Sequence, residues 1–337
     1  MILSAAILLT LAGVASPAPM CTVGDSVLIQ EWKVPWDKTR PRDPSVDKQG
    51  RVWFVGQTGD YIGMLDPKTG QFKKYDLEKG TGPHNQILDA DGNVWYSGNR
   101  VGHIGKLDPR TGQISKFQIP DPSIRDPHTL IFDKQGENIW WTAQNSNAVG
   151  RFSPRTGKFD VIKLTDGSKP YGIVIDSKGH PWFNEFGANR IGTIDPTSLK
   201  VKEYPLPNDR ARDRRIAVTS DDMIWYGDYT RGYLGRLDPR TGKVDEWPLP
   251  GGPLSQPYGL TSDDKDRIWV AEMARQPAGG QMGKIRLVGF DPKDCDYFST
   301  TWVPSGGGTV RYIVFHKPTR ELWFGTDENT IARAKVP

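Results

Sequence analysis

Seven positions that recur with the period of a repeat carry the residues best suited to chemistry: Arg42, His84, His128, Tyr171, Arg214, Tyr258 and Arg311. Guanidiniums grip carboxylates and other anionic oxygens through paired N–H bonds. An imidazole of near-neutral pKa, or a phenol oriented by a charged neighbour, can take or give a proton. A second series stands three residues after a recurring tryptophan and reads Gly56, Gly98, Ala143, Glu185, Asp228, Glu272 and Thr326. Carboxylates from three successive units are hard oxygen donors of the kind that hold Mg²⁺ or Ca²⁺. The two series together predict a bipolar site. His84, His128, Tyr258 and Glu272 are its candidates for proton transfer, Arg42, Tyr171, Arg214 and Arg311 for gripping a ligand, and Glu185, Asp228 and Glu272 for a cation. The alternative is an ion-pair network that only fills a channel.

What must position these residues is a repeat. Trp53, Trp95, Trp140, Trp182, Trp225, Trp269 and Trp323 stand 42 to 45 residues apart, except for a last interval of 54. In five units an Asp or Ser before proline follows the tryptophan by 13 residues (Asp66, Asp108, Ser153, Asp195, Asp238). In the sixth the interval is 22, to Asp291, so that unit carries a nine-residue insertion around 275–280. Each unit reads as four short strands: an apolar run, an Asp-x-x-Gly turn into the tryptophan strand, a third strand, and an Asp-Pro-x-Thr-Gly turn into an alternating fourth. In that last turn Pro presets φ and Gly takes the left-handed corner. Seven four-stranded antiparallel units at this spacing predict an all-β fold, a seven-bladed β-propeller. The seventh unit stops after a third strand near 330–337, whereas 29–35 reads like a fourth strand. The N-terminal strand is therefore expected to complete the last blade and close the ring. Both chemical series then face one mouth of a central funnel. The tryptophans read as packing between blades, His103, His180 and His316 have no assigned role, and Arg210, Arg212 and Arg215 read as a solvated loop. The insertion follows Glu272 and would overhang the mouth, as a lid hinged at Gly279 and Gly280 or as an idle surface loop.

Bulk composition sets the class. With 44 basic and 40 acidic residues the net charge is only +4, too balanced for a nucleic-acid binder. Gly (37), Pro (27) and Trp (12) are plentiful, as in β-rich chains with many turns. Residues 1–20 read as a secretory signal peptide, their apolar run being short for a membrane span. The expectation is an exported protein, periplasmic or extracellular, without stable membrane insertion, monomeric, with one propeller domain over 27–337. Cys21 and Cys295 in an exported chain suit one disulfide.

The units containing Pro170-Tyr171-Gly172-Ile173 and Pro181-Trp182-Phe183-Asn184-Glu185-Phe186-Gly187-Ala188-Asn189-Arg190-Ile191-Gly192 resemble the streptogramin B lyase (virginiamycin B lyase) family of seven-bladed propellers, over about residues 27 to 337. The resemblance implies a lyase that opens a cyclic depsipeptide at its ester by elimination, with Mg²⁺ and a histidine base. That base stands in a Pro-His-Gly segment, with one glutamate shortly before it and another fourteen residues after. The matching segment here is Gln256-Pro257-Tyr258-Gly259, with Glu272 following. The later glutamate is kept, but Tyr258 replaces the base and Gln256 the earlier carboxylate. A further family histidine falls on Arg214. True streptogramin cleavage is therefore not expected. The expectation is a propeller that acts on or binds a small polar or anionic molecule, as a carbon–oxygen lyase or a hydrolase of esters or lactones. The alternative is a non-catalytic propeller that binds a ligand or a protein.

Overall fold

The computed structural model describes residues 27–273, 284–294 and 296–337. The expected signal peptide, the Cys21–Cys295 disulfide and the segment 275–280 lie outside these residues. Among the described residues, twenty-eight strands, β1 to β28 in chain order, pair into seven four-stranded antiparallel sheets. The helical content among them is one 3-10 turn at Gly252–Leu254.

The first blade shows how each is built. β2 (Pro41–Val46), β3 (Val52–Gly56), β4 (Tyr61–Asp66) and β5 (Gln71–Asp76) follow one another from the channel outward. The burial falls in the same direction, from a fully buried β3 to a largely exposed β5. Trp53 sits in β3 at 1% exposure and donates its indole N–H to Asp47 Oδ2 at 2.9 Å. The same bond, to the residue six places earlier, recurs at Trp95–Asp89, Trp182–Asp176, Trp225–Thr219 and Trp269–Asp263. The Asp of the hairpin turn, or Thr219 in the fifth blade, thus satisfies the one polar atom of a side chain buried between blades. Trp53 packs with Val55 and Ile62 of its own blade and with Val94, Tyr96 and Leu107 of the next. Removing about 200 Å² per tryptophan from water, at about 25 cal/mol per Å², stabilises each interface by roughly 5 kcal/mol.

The ring closes as the sequence implies. β1 (Ile29–Lys33) pairs antiparallel with β28 (Thr330–Lys335), from Ile29 opposite Ala334 to Lys33 opposite Thr330. The last blade therefore takes its outer strand from the opposite end of the chain, which covers the edge of β28.

One local feature points the site residues inward. In β2 and in β6 (Pro83–Leu88), β10 (Pro127–Phe132), β14 (Pro170–Ile175) and β18 (Asp213–Val218), the ladder to the next strand slips near the channel end. A bulge of this kind leaves residues out of the pairing and turns their side chains. In four of these blades the slip falls on the pairs His84–Asn85, His128–Thr129, Tyr171–Gly172 and Arg214–Arg215; in the first it falls just after Arg42.

Candidate active site in the propeller channel

Six of the seven first-series residues come together. The rings of His84 and His128 lie 3.6 Å apart, His128 and Tyr171 4.1 Å, and Tyr171 and Tyr258 6.2 Å. The Tyr171 and Tyr258 hydroxyls are hydrogen-bonded to each other. Arg214 donates Nη1–H to the Tyr258 hydroxyl at 3.3 Å. Its guanidinium is caged by rings, 4.4 Å from Phe186, 4.3 Å from Tyr229 and 4.8 Å from Tyr258. Arg42 donates to Asp43 Oδ1 at 3.0 Å and to Gln57 Oε1 at 3.1 Å. Arg42, His84, His128, Tyr171 and Tyr258 are all buried, while Arg214, Phe186 and Tyr229 keep partial exposure and mark the open side. Arg311 stands apart: both its terminal nitrogens are engaged by the Asp327 carboxylate.

The cluster is cationic and incompletely bonded. Four of its buried polar atoms have no hydrogen-bond partner: Arg42 Nη2, His84 Nδ1, His128 Nε2 and Arg214 Nε. Such orphans cost stability in a folded protein unless something binds them. Burial, then the Arg42 charge, holds the His84 imidazole well below its ordinary pKa. Burial, with Arg215 and Arg42, does the same to His128. Both imidazoles are thus neutral and able to accept a hydrogen bond at one nitrogen and donate one from the other.

The carboxylate series is placed differently. Glu185 accepts from Arg190 at 3.0 Å. Asp228 accepts from Arg231 Nε at 2.5 Å and from the backbone N–H groups of Thr230 and Arg231. Glu272 accepts from Arg286 Nε at 2.5 Å and from Gly251 N–H at 3.1 Å. All three side chains are fully buried and each is neutralised by an arginine of its own blade. Burial raises the pKa of Glu185 and of Glu272 despite these partners. Among the described residues no three His, Cys, Asp or Glu side chains form a group able to hold a metal ion. As placed, the three carboxylates do not converge on a common point for Mg²⁺ or Ca²⁺, and each has an oxygen bonded to a guanidinium of its own blade.

Beneath the mouth lies a layer that reading the sequence one position earlier does not reveal. Arg215 is buried at 2% exposure, not solvated as its neighbours Arg210 and Arg212 are. From the fifth blade it donates to the Arg311 carbonyl of the seventh (2.8 Å), to Thr129 Oγ1 of the third (3.1 Å) and to Asp43 Oδ2 of the first (3.2 Å). Asp43 is also bonded by Arg42 and by Asn85 Nδ2. Burial alone would raise the Asp43 pKa, but Arg42 and Arg215 outweigh it and hold the carboxyl below the usual range. Gly172 leaves room this plug needs: a Cβ there would stand 3.2 Å from the Arg215 Cα. The signal was present in the residue after each first-series position: Asp43, Asn85, Thr129, Gly172, Arg215, Gly259, Tyr312. One acid and one base among small and neutral residues mark an ion pair across the axis. The residues four after each tryptophan were also missed, and three of them, Gln57, Phe186 and Tyr229, line the site.

Comparison with known proteins supports the same architecture. The chain matches the model of the Virginiamycin B lyase family over residues 18–285. No curated protein sequence matches it. A streptogramin B lyase structure superposes with a TM-score of 0.78 at 23% identity, covering 92% of this chain and 98% of that one. An inactive histidine-to-alanine variant of virginiamycin B lyase from Staphylococcus aureus, with quinupristin, gives 0.80 at 23%, covering 93% and 100%. The extracellular domain of a one-component system from B. thetaiotaomicron gives 0.68 at 14%, covering 91% of this chain but 42% of that one. With most of its length matched by the family model and all seven blades in place, this chain belongs to the Virginiamycin B lyase family.

Proposed function

We propose that this propeller binds a small anionic molecule at the channel mouth and acts on it as a carbon–oxygen lyase or as a hydrolase of esters or lactones. The observation that carries the reading is the set of four unpartnered polar atoms on Arg42, His84, His128 and Arg214, in a cluster where positive charge is in excess. Arg42 and Arg215 share one contacting carboxylate, Asp43, and Arg214 donates to the Tyr258 hydroxyl. A ligand oxygen bearing negative charge completes both the bonding and the charge. Quinupristin, present with the virginiamycin B lyase variant, is a poor candidate here, because Tyr258 and Gln256 stand where the resemblance places a histidine base and a carboxylate. The apolar run at 1–20 supports a setting outside the cytoplasm. Among the described residues no helix is long and apolar enough to cross a membrane.

Calorimetric titration with malonate tests the reading. Wild type should bind, and Arg42→Met and Arg214→Met should each weaken binding at least about tenfold, the loss of one charge-assisted bond of about 1.5–3 kcal/mol. If the double variant binds malonate as well as wild type does, the channel is not the anion site. A second reading, a non-catalytic ligand-binding propeller, is favoured by the arginine-locked carboxylates. It predicts malonate binding without turnover of any ester, lactone or β-substituted carboxylate.

A further inference from the structure

The charges at the channel mouth do not cancel. Arg42, Arg214 and Arg215 bring three guanidiniums, and among the described residues Asp43 is the one carboxylate in contact with any of them. The other acids nearby are paired elsewhere. Glu185, Asp228 and Glu272 meet Arg190, Arg231 and Arg286, and Arg311 is matched by Asp327. Asp213, beside Arg214 in the chain, bonds Asn184, and burial holds its carboxyl well above the usual pKa, so it stays neutral. Arg212, 5.4 Å from the Phe186 ring, is exposed, and solvent and salt screen its charge. The Tyr171 and Tyr258 hydroxyls bond each other and add no charge as phenols. Two positive charges therefore lack a counter-charge, and a buried charge left in that state is costly.

The open bonding positions are divided in the same way. Arg215 has a partner at each of its three nitrogens, so it supplies charge but no grip. Arg42 keeps Nη2 unpartnered beyond its bonds to Asp43 and Gln57. Arg214 keeps Nε unpartnered beyond its bond to Tyr258. One arginine comes from the first blade and the other from the fifth, and both act on the Tyr171 and Tyr258 hydroxyls. Two grips on two separate guanidiniums suit two anionic groups better than one.

We propose that the mouth selects small dicarboxylates, with one carboxylate on Arg42 Nη2 and the other on Arg214 Nε, and that Asp43 sets the charge selected. This rests on the anion-binding reading above and names its ligand class. Each contact is a charge-assisted bond between a guanidinium N–H and a carboxylate oxygen. Asp43 cancels one of the three cations and leaves the balance that a dianion neutralises. It does so from a left-handed backbone, φ +47°, which Asp and Asn tolerate better than other side chains. Asparagine at this position keeps the backbone and removes the charge.

The test is calorimetric titration of the intact protein with malonate and succinate, each against its monomethyl ester, at neutral pH where the carboxylates are ionised. The ester keeps the shape and loses one charge. At least one of the two dicarboxylates should bind at least about tenfold more tightly than its ester, as one further charge-assisted bond gives. Arg42→Met and Arg214→Met should each remove that difference, and Asp43→Asn should widen it. A smaller difference for both pairs in wild type overturns the dicarboxylate reading and leaves the anion site standing. Sulfate binding more tightly than either dicarboxylate also overturns it, since both charges would then sit on one group. A difference that Asp43→Asn leaves unchanged or narrows overturns the role given to Asp43. If none of these anions binds wild type, the anion site falls with the proposal.

Discussion

At the residue scale, the departure from the repeat at Asp213 has a measurable cost. Five other blades hold proline at this place, at 41, 83, 127, 170 and 257, and the seventh holds Val310. Asp213 is fully buried, accepts from Asn184 Nδ2 at 2.9 Å, and has no partner for Oδ1. Burial, and then the nearby Asp228 and Glu185 charges, raise its pKa well above the ordinary value. A carboxyl raised in the folded state binds its proton there more tightly than in the unfolded chain. Its contribution to stability is complete below the unfolded pKa, about 4, and is lost as pH rises from there through the folded value. Asp213→Asn should therefore raise the Tm at neutral and alkaline pH and flatten its fall above about pH 4, measured by calorimetry at a series of pH values. A variant whose Tm keeps the wild-type slope would show that Asp213 is ionised in the folded protein. Asp43 acts with the opposite sign: its lowered pKa adds stability that is present at neutral pH and disappears as acid protonates it.

At the scale of elements, ring closure rests on β1, and the stitches there are specific. Glu31 accepts from Ser305 N–H and Oγ at 2.7 Å each and from Thr330 Oγ1 at 2.6 Å. Trp32 stacks on Trp323 at 5.5 Å, with the Arg333 guanidinium 5.3 Å from the Trp32 ring. Asn329 holds the segment beyond by donating to the carbonyls of Val34 and Trp36. A chain begun at Trp36 should lose the outer strand of one blade and expose the β28 edge, a template for pairing with other chains. Size-exclusion chromatography should show association, together with a lower Tm; a monodisperse product with unchanged Tm would contradict the role given to β1. This strand was legible in advance because its alternating pattern matches the other fourth strands, and pattern is local. The bulges were not legible, since a ladder slip depends on how two strands register in three dimensions.

At the scale of the whole molecule, Arg215 and Asp43 tie blades one, three, five and seven across the axis. A ring of blades that touch only their neighbours gains from a link through its centre, and this link is an ion pair out of contact with water. Arg215→Met should leave Asp43 with one cation and destabilise the fold by about 3–5 kcal/mol, read as a lower urea midpoint. Adding Asp43→Asn should recover part of that loss, because the stranded charge is removed. If the single variant unfolds at the wild-type midpoint, the plug does not bind the ring together. The Arg42 orientation depends on the same pair, so the single variant should also weaken malonate binding.

The sequence by itself determined the seven blades, the closing strand and the ring of Arg, His and Tyr at the mouth, because repeat period, turn chemistry and strand alternation are written in local spacing. Only the tertiary structure decided the partners of those residues. Glu185, Asp228 and Glu272 share a spacing that could have served a cation, yet each lies beside an arginine of its own blade. Arg214 and Arg215 are adjacent in the chain, yet one is caged by aromatic rings at the mouth and the other spans the channel below. Charge pairing acts over a few ångströms in space, and strand twist and bulges set which groups come within that range.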